Sequence, residues 1–118
     1  MRLVDDATIR PEIQTAVQTT IARGFGASHS LCHGDFGNLE LLQQASEALG
    51  SPERGQLERL TATILERIDR LGWPCGNPLG VESTGLMTGL AGIGYGLLRR
   101  AEPTRVPSVL TLSPPVVM

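Results

Sequence analysis

The sequence predicts an all-α fold, and three observations carry that expectation. Apolar residues recur at helical spacing in separate stretches. A glycine-led pattern returns along the chain, as in arrays of helical hairpins. And the 118 residues hold only one Trp, one Tyr and two Phe against 14 Gly, so the core is built of aliphatic side chains brought close by small ones. A chain of this length is within the size of one domain.

The first helix is marked by Ile9, Ile13, Val17 and Ile21, one stripe at four-residue intervals. Asp5 and Asp6 suit its N-terminus, Pro11 marks its start or a bend, and Gly24 and Gly26 end it. A second helix is expected over 36–49, with Leu39, Leu42 and Ala45 inward and Gly50 as its stop. The third is the clearest amphipathic stretch. Ser51 is expected as its N-cap and Pro52 as its first helical residue. Leu57, Leu60, Ile64, Ile68 and Leu71 form its apolar face, and Gly72 ends it. A loop through Trp73, Pro74, Cys75 and Gly76 leads to a fourth helix over roughly 85–100. That stretch is apolar nearly all round and carries Gly85, Gly89, Gly92 and Gly96 on one face, which implies close approach of another backbone. A run this short does not span ~30 Å of hydrocarbon, so no transmembrane segment is expected. The tail over 102–118 holds four of the eight prolines and is expected to lie extended on the body.

The second and fourth helices match at a single offset. Gly34 and Gly37 return 55 positions later as Gly89 and Gly92, and Leu31 and Leu42 as Leu86 and Leu97. The unit is a helical hairpin, present over about 6–50 and again over about 51–101, and Gly34, Gly37, Gly89 and Gly92 are its structural glycines. At the same offset Cys32 and His33 become Met87 and Thr88. The shared scaffold therefore accounts for the glycines and leucines but not for the Cys-His pair.

Thiolate and imidazole are natural zinc ligands. Neighbouring residues diverge by about 100° on a helix, so they converge on one ion only in an irregular turn. Gly34, directly after the pair, makes such a turn reasonable. Read from the chemistry alone, the pair is either two metal ligands or a buried Cys beside a helix-capping His. Cys75 is a possible third ligand or a plain loop cysteine. His29 is a weak candidate for a supporting or catalytic group, or a polar loop residue. Asp35 is expected to cap the second helix, Glu40 has no assigned role, and Arg99 and Arg100 suit the negative end of a helix dipole. The net charge of −2 without a basic patch argues against nucleic acid as a partner. The first dozen residues contain no apolar signal core, so a cytoplasmic location is expected.

The stretch SLCHGDFGNLELL, 30–42, resembles the Cys-His-Gly motif of the LanC-like lanthionine synthetase cyclases. The stretch GLMTGLAGIGYGLLRRAEPTRVPSVLTLSPP, 85–115, is similar to the C-terminal end of class II (LanM-type) lanthipeptide synthetases. The resemblance implies an α/α toroid of seven helical hairpins, of which this chain would hold the last two as an open fragment. It implies a Zn2+ ion held by Cys32, His33 and a Cys from an earlier repeat, with the general acid/base His also earlier. Neither of those residues has a counterpart here. The implied reaction adds a peptide Cys thiolate to dehydroalanine or dehydrobutyrine, giving a thioether ring. Implied partners are a lanthipeptide precursor and the missing repeats. The alternative is a non-catalytic zinc- or peptide-binding module. A sugar-cleaving enzyme on a similar barrel needs paired carboxylates in a cleft, and no convincing pair is seen.

Overall fold

The computed structural model describes residues 7–115 and 117. Within them the fold is all-α, with four α-helices and no strand: α1 (Ile9–Arg23), α2 (Asp35–Leu49), α3 (Ser51–Leu71) and α4 (Leu90–Ala101). A single 3-10 turn, Pro78–Gly80, interrupts the loop between α3 and α4. The helix α2 is the hub, packing most broadly on α3 and also on α1 and α4.

The aliphatic periodicity builds the core as expected. Leu39 and Leu42 of α2 meet Leu57, Leu60 and Ile64 of α3. Leu31, Phe36, Cys75 and Ile93 complete the buried cluster, with Ile21, Phe25, Ile68, Leu90, Tyr95 and Leu97 around it. The stripe of α1 is buried only at Val17, while Ile9, Ile13 and Ile21 are half-buried. Leu71, assigned to the apolar face of α3, is 64% exposed. Asp5 and Asp6 lie outside the described residues.

Four local expectations need correction. The fourth helix begins at Leu90, not at Gly85. Residues 86–88 form a turn closed by Leu90 N–H donating to Ser83 O at 2.8 Å, so Gly85 stands outside the glycine face. The N-cap of α3 is Gly50, whose φ of 103° suits glycine, and Ser51 is already helical. Asp35 is the first residue of α2 and makes no capping bond to it. Finally, the tail is a succession of turns, not an extended segment. Its anchor is Ser108, 1% exposed, while Leu112 is 87% exposed. Tyr95 Oη donates to Pro107 O at 2.7 Å and accepts from Val109 N–H at 2.9 Å, which holds the tail to α4.

The two turns before α2 and α4 share their backbone geometry. Gly34 (φ −115°, ψ −164°) and Gly89 (φ −121°, ψ −162°) occupy the same N-cap conformation. Asp35 N–H donates to Ser28 O at 2.8 Å, and 55 residues on Leu90 N–H donates to Ser83 O at the same distance. The copies meet where α2 crosses α4. A Cβ on Gly96 would lie 2.5 Å from the Phe36 ring, and one on Gly92 would lie 3.3 Å from Leu31 Cβ. At Gly96 only glycine allows that approach, which offsets its cost of about 1 kcal/mol in a helix interior, while at Gly92 a Cβ would first strike Leu86 O of the preceding turn.

Candidate functional site

Residues 31–33 form the turn that leads through Gly34 into α2. Gly34 is enclosed, since a Cβ there would lie 2.5 Å from Ser30 N and 2.6 Å from Ser28 Oγ. The chain before the helix is therefore bent tightly, and Cys32 and His33 are both exposed on the resulting turn. The turn is fixed from the other copy as well: Cys32 N–H donates to Met87 O at 2.8 Å, and His29 N–H donates to Pro74 O at 2.8 Å. Gly76, whose N–H bonds Thr88 O at 2.8 Å, lies beneath the His33 ring. A Cβ on Gly76 would sit 2.9 Å from His33 Cε1 and 2.6 Å from Ser30 Oγ, so a larger residue would displace that ring.

The other candidates divide. Cys75 is a free thiol, 3% exposed, and belongs to the hydrophobic cluster. Among the described residues, no group of three or more His, Cys, Asp or Glu comes together that could hold a metal. Within those residues the donors on offer at the turn are thus one thiol and one imidazole, Cys32 and His33. His29 is fully buried. Its Nδ1 lies 2.6 Å from Asp35 Oδ2, and its ring meets Phe36 edge-on at a centroid distance of 6.3 Å. Its Nε2 is buried without a hydrogen-bond partner. The second carboxylate oxygen of Asp35 accepts from Gly26 N–H at 2.9 Å. Asp35 and His29 therefore tie the end of the α1–α2 loop beneath the Cys-His turn.

Sequence reasoning treated His29 and Asp35 separately, although a signal was present. At the repeat offset His29, Cys32, His33 and Asp35 become Thr84, Met87, Thr88 and Leu90. All four chemically distinctive residues of this turn occur in one copy only.

Reasoning also missed a buried ion pair. Arg99 Nε and Nη2 donate to the two carboxylate oxygens of Glu40, each at 3.1 Å. Arg99 Nη1 further donates to Val106 O at 2.8 Å and to Pro103 O. Burial disfavours the charge on Arg99, but the hydrogen bonds and attraction of Glu40 outweigh it and hold the guanidinium pKa above its ordinary value. Arg100 donates to Gln43 Oε1 at 2.5 Å and to Thr61 Oγ1 at 3.0 Å, and burial holds its pKa below the ordinary value. The helix dipole alone does not describe these two residues; they fasten α4 and the tail to α2 and α3.

A cysteine-histidine turn carried on a repeated, glycine-led all-α scaffold defines the class. The chain belongs to the lanthionine synthetase C-like protein family, which it matches over residues 1–111. It is also similar to the lacticin 481/lactococcin biosynthesis protein LcnDR2 of Lactococcus lactis subsp. lactis, 36% identical over 77 residues. That match covers 61% of this chain and 8% of the Lactococcus protein, so the chain corresponds to a small part of its relative.

Proposed function

We propose that this chain supplies the Cys32–His33 ligand pair of a zinc-dependent lanthionine synthetase cyclase, which forms thioether rings in lanthipeptide precursors. The carrying observation is that both side chains are exposed on one turn fixed by Gly34 and by the Cys32 N–H to Met87 O bond. A thiolate and an imidazole fill two positions of a tetrahedral zinc shell, leaving places for a further protein ligand and a substrate sulfur. Bound there, zinc would lower the pKa of a peptide thiol, so that a nucleophilic thiolate exists at neutral pH. This chain's own part is to hold and orient. Gly76 makes room for the His33 ring, and the His29–Asp35 contact steadies the loop behind the turn. No third donor joins the pair among the described residues, so the chain acts with upstream repeats that complete the ligand set.

The test is reconstitution. The chain is mixed with the upstream part of a related synthetase and a dehydrated precursor, and thioether formation is followed by loss of free thiol. Ring formation is expected with the unaltered chain and not with Cys32→Ala. Failure of the unaltered chain to restore it contradicts the proposal. A binding role without catalysis gives a different result: precursor is retained by the mixture while its free thiols persist.

A further inference from the structure

The same turn occurs twice in this chain, once with His29 and Asp35 and once without them. Gly34 and Gly89 share one conformation, and the main-chain bonds from Asp35 N–H to Ser28 O and from Leu90 N–H to Ser83 O are both 2.8 Å. A Cβ on Gly37 would strike Leu31 O, and one on Gly92 would strike Leu86 O, again 55 positions apart. The second turn reaches this geometry with Thr84 and Leu90 at the positions of His29 and Asp35. Backbone and glycines therefore suffice to build the turn.

The His29–Asp35 pair is costly to bury. His29 is 0% and Asp35 2% exposed, and taking ionisable groups out of water costs free energy that their mutual attraction need not recover. His29 Nε2 is also buried and finds no partner among the described residues, which adds the penalty of an unsatisfied polar atom. A pair that the turn does not need, buried at a cost, has a role beyond the scaffold. Its placement supplies one. The 2.6 Å contact of His29 Nδ1 with Asp35 Oδ2 links positions 29 and 35, and Cys32 and His33 lie inside that span. Asp35 Oδ1 accepts from Gly26 N–H at 2.9 Å, which anchors one end of the span to the α1–α2 loop. His29 N–H donates to Pro74 O at 2.8 Å, which anchors the other end to the segment whose Gly76 lies beneath the His33 ring. The bridge thus joins the segment that carries both donors to the floor on which one of them rests.

We propose that His29 and Asp35 are positioning residues for Cys32 and His33, their buried side-chain bridge holding the donor turn in the arrangement that receives the metal. The inference rests on the zinc role proposed above for that turn. Donors already held in place lose less conformational freedom when an ion binds, so the bridge strengthens binding without either residue touching the ion. The bridge occurs in the copy that carries the donors, and the copy with Met87 and Thr88 in their place lacks both of its residues.

The test moves the second copy's residues into the first. The full chain carrying His29→Thr and Asp35→Leu together is titrated with Co2+, a spectroscopic stand-in for Zn2+, and the absorption of the Cys32 thiolate–cobalt bond is followed. The double variant is expected to keep the helical circular dichroism and the urea midpoint of the unaltered chain, because both partners of the bridge are removed together. Its Co2+ affinity is expected to fall by about tenfold or more. His29→Asn, whose amide N–H stands near the place of Nδ1–H, is expected to retain most of the affinity. A folded double variant that binds Co2+ like the unaltered chain overturns the proposal and leaves the zinc role of Cys32 and His33 standing. A double variant that loses its helical fold also overturns it, since the pair is then structural. A His29→Asn chain as weak as the double variant contradicts the bridge as the cause. An unaltered chain without Cys32-dependent absorption overturns both the positioning role and the zinc role.

Discussion

At the scale of single residues, the Glu40–Arg99 pair carries the largest stake. Both side chains are 8% exposed, and the guanidinium also holds two carbonyls of the tail. Breaking a buried pair leaves one charge without its partner, at a cost of about 3–5 kcal/mol. Glu40→Ala is therefore expected to lower the unfolding free energy measured in urea by an amount of that order. Hydrogen exchange should also quicken around residues 103–109, because Arg99 loses the partner that orients it. His29→Ala is expected to act differently. It leaves Asp35 buried with Gly26 N–H as its remaining partner and costs about 1–3 kcal/mol. The His29–Asp35 contact was not legible from spacing, since it depends on a tight turn that reverses the chain between the two residues. Asp35 at a helix entrance reads as a cap, yet its carboxylate is committed to the preceding loop. Glu40 and Arg99 are 59 positions apart and meet only because α2 crosses α4.

The helices themselves were largely legible, because each has one face turned to the core and aliphatic residues repeat along it. Leu42, fully buried in α2, is the natural probe of that face. Leu42→Ala is expected to cost about 2–5 kcal/mol, measured by chemical denaturation. Element boundaries were less legible where glycine and serine permit either state. The stretch 85–88 reads as helix by composition, yet it forms the same turn as 30–33, and the repeat already implied this. The crossing of α2 on α4 has its own test. Gly96→Leu pushes side-chain atoms into the Phe36 ring, 2.5 Å from where its Cβ would stand, and is expected to cost about 1–3 kcal/mol. Adding Phe36→Ala is expected to recover much of that loss, because it restores one large and one small residue at the crossing. Additive losses in the double variant would show that the two positions do not share one space.

For the whole molecule, the repeat separates scaffold from chemistry. Two hairpins carry matching turns, and only the first places a thiol and an imidazole on its turn. No helix among the described residues is long and apolar enough to cross a membrane. The sequence pointed to the Cys32–His33 turn through an asymmetry between the copies. Nothing in it could show that Cys75 enters the core, because a loop with three glycines and two prolines follows no periodicity. Under the proposed function, Cys32 and His33 contribute two donors on one turn and the remaining ligand comes from neighbouring repeats. Zinc content after dialysis against a moderate chelator tests this account most directly, measured on the chain alone and on the chain joined by upstream repeats of a related synthetase. The account predicts weak retention by the chain alone and tight retention of one zinc per assembly, lost in both Cys32→Ala and His33→Ala. Retention that is unchanged by those two substitutions, or absent from the assembly altogether, would contradict it.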